Sequence, residues 1–144
     1  MSVGVYALYE DASFQVIVSN LYNKNGERPQ WAEPYRIHVT KKGTRIAFIG
    51  ATAYYRLFYK ELDWTIEEPI EEIRKLVAVL KEKCDVMVLL SHLGLDLDEA
   101  IASEMPEIRL ILGAHTHHIL HEGKQINETL LCCTGMGGRY TGHV

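Results

Sequence analysis

The sequence predicts an α/β fold, a sandwich in which helices pack on a mixed sheet, and three observations predict it. Two near-continuous apolar runs, VMVLL at 86–90 and IRLIL at 108–112, have the composition of strands buried on both faces. Segments with apolar residues at helical spacing precede and separate them, giving the strand, helix, strand order of right-handed βαβ units in a parallel sheet. Upstream, residues 35–50 alternate and double back around Lys42-Gly43, which adds antiparallel strands to that sheet.

In chain order, FQVIV at 14–18 is a short apolar strand bounded by Ser19 and Asn20, and the polar stretch 22–34 reads as a surface loop. In the next strand Tyr35, Ile37 and Val39 share one face while Arg36, His38 and Thr40 share the wet one, so His38 is expected to have no chemical role. TRIAFIG at 44–50 completes the hairpin. Residues 54–68 mix aromatics with acids and are expected to form a long excursion packed by Tyr54, Tyr55, Phe58 and Trp64, or to line a pocket. Pro69 sits where a helix can start, and Ile70, Ile73, Leu76, Val77 and Leu80 recur at helical spacing. Glu71 and Glu72 read as the solvated acidic first turn of that helix. After VMVLL, Asp96 and Glu99 have capping-box spacing for a short helix at 97–105. IRLIL and a polar turn at Gly123-Lys124 follow, then a strand at 129–133, a turn at 135–138 and a last strand from Tyr140.

With 47% hydrophobic and 24% charged residues, the 144-residue chain has an ordinary globular balance that excludes a disordered, collagenous or coiled-coil protein. One domain over 1–144 is expected, because a chain of this size buries roughly 70% of its unfolded surface. Fifteen Lys and Arg against nineteen Asp and Glu leave a net charge of −4, which argues against a nucleic-acid polymer or an anionic membrane as partner. No apolar run is long enough to span a bilayer, and the start MSVGVYALYEDASF lacks the basic and apolar regions of a signal peptide, so a cytoplasmic location is expected. Cys132 and Cys133 are adjacent in a strand and should point to opposite faces, while Cys84 falls at a helix end. Three thiols without framework spacing or a C-x-x-C pair read as reduced and mostly buried, neither a disulfide scaffold nor a Cys-ligated zinc site.

The seven histidines are the unusual feature. His92 follows VMVLL, and His115, His117 and His118 follow IRLILG, so two successive strands end in histidine-bearing loops. Neighbouring parallel strands deliver their C-terminal loops to one edge of an open α/β sheet, where ligands bind, and the histidines should converge there. The spacing of His115 and His117 suits two ions if the loop is extended; His118 and His121 are expected to face solvent or to support the ligands from behind. Imidazole favours zinc, manganese, iron, cobalt or nickel over calcium. Such ions activate water and polarise phosphoryl oxygens, and a pair about 3.5–4 Å apart clamps both oxygens of a displacement. A two-ion site also needs a bridging carboxylate, and Asp96 and Asp98 read instead as a cap and a first-turn helix acid.

The runs VMVLLSHLGLDLDEAIA, IRLILGAHTHHIL and LLCCTGMGGRYTGHV together resemble the later half of the calcineurin-like metallophosphoesterase domain found in the 5'-nucleotidase and UDP-sugar hydrolase family. FQVIVSN and RIAFIGAT are similar to strands that lie earlier in the same domain, so the resemblance covers nearly the whole chain. It implies a mixed-sheet α/β sandwich of metallophosphoesterase type, incomplete at its N-terminus. It also implies that His92 and His115 bind one ion and that His117 lies at the other. The family's D-x-H, G-D and G-N-H-D/E elements are absent, and Asn20, which belongs to a later strand, does not replace the missing asparagine ligand. The chain also ends before the family's separate nucleoside-binding domain. The implied activity is hydrolysis of a small phosphate ester, a nucleotide or nucleotide sugar, with Mn, Zn, Co or Fe in the complete site and one ion or none here. The isolated chain is accordingly expected to be weak or inactive. The alternative is a non-catalytic metal-binding module, a homo-oligomer that covers an exposed sheet edge and apolar face. An amidohydrolase using H-x-H fits less well, since 144 residues are too few for a (β/α)₈ barrel.

Overall fold

The computed structural model describes residues 12–144. The reading of the first residues as lacking a targeting segment falls mainly on 1–11, outside the described residues. A six-stranded mixed sheet organises the molecule. Its strands are β4 (Tyr35–Val39), β5 (Arg45–Thr52), β7 (Val86–His92), β8 (Ile108–Gly113), β10 (Thr129–Cys133) and β9 (Lys124–Ile126), in that spatial order. β5, β7, β8 and β10 are mutually parallel, and the antiparallel β4 and β9 close the two sides. Two small pairs stand beside it: β1 (Val16–Ile17) with β3 (Ala32–Glu33), and β2 (Leu21–Asn23) with β6 (Trp64–Ile66). The mixed α/β architecture and the hairpin are as the sequence predicts.

Helix α2 (Pro69–Leu80) follows its pattern, with Pro69 at the first turn and the Glu68 carboxylate accepting the Glu71 N–H at 2.8 Å as a cap. Helix α3 (Leu95–Glu104) joins β7 to β8. Both helices pack on one sheet face. Ile73, Val77 and Leu80 of α2 and Ile101 and Ala102 of α3 meet Ala47, Ile49, Met87, Leu89, Ile111 and Leu131 in one buried cluster. Burying each such Ile or Leu contributes on the order of 2 kcal/mol. The register of β8 shifts at Met87/Val88, and the extra residue lets Ile108 and Ile111, three apart, both reach this core. The opposite face carries Phe48, Leu90, Leu110, Leu130 and Cys132 half-buried and Leu112 exposed.

Several expectations are corrected. The first strand shrinks to Val16–Ile17, because the chain crosses Gly50: a Cβ there would lie 2.0 Å from the Ile17 carbonyl oxygen. The stretch 22–34 is no plain loop. It holds β3 and most of β2, and its Trp31 packs edge-on against Trp64 at 6.0 Å. The 54–68 excursion follows its alternative reading: only Trp64 is buried, while Tyr54, Tyr55 and Phe58 are exposed around helix α1 (Arg56–Glu61) and line an open pocket. Glu72 is not solvated but buried, taking hydrogen bonds from Tyr22 and Lys75. Burial raises its pKa, yet those hydrogen bonds and the charges of Lys75 and Arg28 outweigh it and hold the carboxyl below its ordinary value. Asp96 caps nothing, since the chain enters α3 through Gly94 at φ 98° with no side-chain cap. The expected polar turn at Gly123-Lys124 runs directly into strand β9, and 139–144 are exposed and irregular instead of forming a last strand.

Candidate metal centre

His92 is the last residue of β7, and β8 ends at Gly113, two residues before His115. Because the strands are adjacent and parallel, the two loops emerge side by side, and His92 Nε2 lies 3.2 Å from His115 Nδ1. The rings stand edge to face with centroids 4.9 Å apart. Burial, and then the charges of His115 and His117, push the His92 pKa below its ordinary value. A neutral imidazole is the form that ligates metal.

The loop after β8 is not extended. His115 has φ 77° and His117 φ 58°, both in the left-handed region. The Thr116 N–H donates to the Ala114 carbonyl at 3.0 Å, closing a three-residue turn around His115, a rare and strained geometry. This twist aims His115 at His92 and leaves His117 exposed. His118 and His121 are exposed as well, and His118 Nδ1 contacts Thr116 Oγ1 at 2.8 Å. His38 lies exposed on β4, away from the other histidines in the strand order.

Two further features hold the loops together. Thr116 Oγ1 accepts the Leu95 N–H at 3.2 Å, and its methyl would meet a Cβ on Gly94 at 2.9 Å, so this close approach needs glycine. Below, Asp98 is fully buried and takes the Ser91 hydroxyl on Oδ1. Its Oδ2 has no hydrogen-bond partner among the described residues and sits where a Gly113 side chain would begin, 2.5 Å from that Cβ position. Desolvation lifts the Asp98 pKa to about 6, against the opposing Ser91 hydrogen bond. Asp98 occupies the first turn of α3, as its spacing predicts, but is buried in the core beside β7 and β8 instead of facing solvent. Asn20 is also fully committed to structure: its side-chain amide bonds the Thr52 and Glu67 carbonyls and accepts the Thr52 N–H.

The 3.2 Å nitrogen separation suits two cis ligands of one ion at bond lengths of about 2.1 Å, subtending about 100°. The pair therefore fits part of a coordination sphere. Among the described residues no group of three or more His, Cys, Asp or Glu is placed to hold an ion. The three cysteines are free: Cys84 and Cys132 are half-buried and Cys133 is buried, on the opposite sheet face from Cys132. No helix among the described residues is long and apolar enough to cross a membrane.

A mixed sheet that brings two histidines together at the C-terminal ends of adjacent parallel strands offers part of a metal site, and comparison with known proteins supplies the family. No protein-family profile matches the chain. The metallophosphoesterase YunD of Bacillus subtilis is 47% identical over 138 residues, which is 96% of this chain and 30% of that protein. The sulfate thiohydrolase SoxB of Thermus thermophilus superposes with a TM-score of 0.78 at 22% identity, over 93% of this chain and 26% of its own. A 5'-nucleotidase precursor from Thermus thermophilus gives 0.69 at 25% identity, over 84% and 24%. The chain belongs to the metallophosphoesterases, shares its fold with 5'-nucleotidases, and spans about three-tenths or less of the length of these relatives.

Proposed function

We propose that this chain carries the later half of a metal-dependent phosphoester hydrolase site whose substrate is a nucleotide or nucleotide sugar, and that it turns over little by itself. The observation that carries the reading is the facing pair His92 Nε2 and His115 Nδ1 at the C-terminal edge of adjacent parallel strands. His92 and His115 would hold one divalent ion, of Mn, Zn, Co or Fe, and His117 would turn toward a second. Bound ions of this kind supply water activation and neutralisation of phosphoryl charge. The chain's own part is to hold the two imidazoles oriented and close. Without a bridging carboxylate among the described residues, two ions would stay uncompensated, and affinity and rate would both be low. Titration with Mn²⁺ or Zn²⁺ should show weak binding that His115→Ala abolishes, with AMP hydrolysis near background. Efficient metal-dependent turnover lost in His115→Ala would refute the inactivity, and metal binding untouched by that change would refute the site.

A second reading rests on the apolar face that holds Leu90, Leu110 and Leu112 half-buried or exposed. In it the chain is a non-catalytic module whose face is covered by a second copy. The three free thiols support a reducing, cytoplasmic setting for either reading.

A further inference from the structure

We propose that Tyr55 is a positioning residue for His115, fixing which ring nitrogen carries the proton and so whether the nitrogen facing His92 is free to ligate. This rests on the reading of His92 and His115 as metal ligands. Tyr55 immediately precedes helix α1, and its backbone is tied at both ends: its N–H donates to the Ala53 carbonyl at 3.0 Å, and its carbonyl accepts the Tyr59 N–H at 3.0 Å. The phenol oxygen lies 2.7 Å from His115 Nε2, and the two rings are tilted with centroids 5.6 Å apart. His115 is thus bracketed, by Tyr55 at Nε2 and by His92 at Nδ1.

A neutral imidazole has one N–H and one lone pair, so the two contacts are not independent. In the proposed metal-free state the Tyr55 hydroxyl donates to Nε2, which puts the proton on Nδ1 to donate to His92 Nε2; the 2.7 and 3.2 Å separations fit this arrangement. When both facing nitrogens turn their lone pairs to one ion, the His115 proton has to sit on Nε2, and the Tyr55 oxygen accepts it. Only a group that both donates and accepts satisfies both states. A hydroxyl does; a carboxylate only accepts and an ammonium only donates. Outer partners of this kind set the tautomer of a ligating histidine, and losing one typically weakens metal binding roughly 10–100-fold.

The test is long-range ¹H–¹⁵N NMR of the histidine rings in the full chain, metal-free and with Zn²⁺ added, for wild type and Tyr55→Phe. Phenylalanine keeps the exposed ring and removes only the oxygen, so unchanged core methyl signals verify that the fold is intact. In wild type the His115 proton should reside on Nδ1 without zinc and move to Nε2 with it. Tyr55→Phe should mix the metal-free tautomers and weaken zinc binding by roughly tenfold or more. If wild type and Tyr55→Phe share one tautomer and bind zinc within twofold of each other, Tyr55 has no such role while the metal reading survives. If wild type binds no zinc, or binds it without shifting the His92 and His115 nitrogens, the metal reading fails and this proposal fails with it.

Discussion

Asp98 is the residue on which the two histidine loops rest, and its chemistry is testable by pH. It lies between Ser91, one residue before His92, and Gly113, two residues before His115. Its pKa of about 6 in the fold exceeds that of an exposed carboxyl, so between about pH 4 and 6 the folded state keeps a proton that the unfolded state gives up. Stability should therefore fall as pH rises through that window and level off above it, by on the order of 2–3 kcal/mol. Urea unfolding at a series of pH values should show this slope in wild type, and Asp98→Asn should flatten it. Glu72 and His92, both held below their ordinary pKa, add an opposite, rising slope in and beside this window, so the test is the difference between the two profiles. A wild type that falls no more than Asp98→Asn would mean that the Asp98 carboxyl is not held protonated. Gly113→Ala makes the complementary case: its new methyl would meet Asp98 Oδ2 at 2.5 Å and Cys133 Sγ at 2.8 Å. Overpacking of this kind costs about 1–3 kcal/mol, measurable as a lowered urea midpoint with unchanged m-value. Neither role was legible in sequence. The capping-box spacing of Asp96 and Glu99 marks a helix start without distinguishing Asp96 from Asp98, and only the packing of α3 against the sheet shows which carboxyl points inward.

At the scale of elements, legibility followed burial. The runs that form β7, β8 and α2 carry strong apolar patterns because both strand faces, or one helix stripe, must leave water, and their positions agree with the structure within a few residues. The short strands β1, β2, β3, β6 and β9 were harder, being two or three residues long and made by pairing with distant segments. Leu21–Asn23 pairs with Trp64–Ile66 across more than forty residues, which no local pattern encodes. Asn20 clips this pairing to the end of β5 through Thr52 and Glu67. Asn20→Ala should remove three hydrogen bonds at a buried site and cost on the order of 2 kcal/mol, read by denaturant unfolding. Tryptophan fluorescence should report the loosening first, since Trp64 lies on β6 and packs on Trp31. An unaltered stability in that variant would show the clip to be replaceable by water.

For the whole molecule, helices α2 and α3 and the main core lie on one side of the sheet, and the other side is apolar but only half-covered. An apolar face of this extent tends to find a partner. If a second copy covers it, light scattering should give a dimer, and Leu112→Lys, which places a charge at an already exposed position on that face, should return a monomer with little change in unfolding midpoint. A wild-type chain that stays monomeric at high concentration would remove the oligomeric module from consideration. The phosphoesterase reading would remain, tested by metal titration.

The sequence by itself determined the fold class and the place of the histidines. Continuous apolar strands, a helical apolar stripe and two strand ends bearing histidine are local patterns, and parallel neighbours must present their ends at one edge. Only the tertiary structure decided how that edge is built. Two left-handed residues twist the loop after β8, His115 turns to His92 while His117 faces outward, and Tyr55 arrives from a segment sixty residues away. The reason is physical: side-chain direction within a turn, and the meeting of groups distant in sequence, depend on backbone torsions and packing that residue spacing alone does not encode.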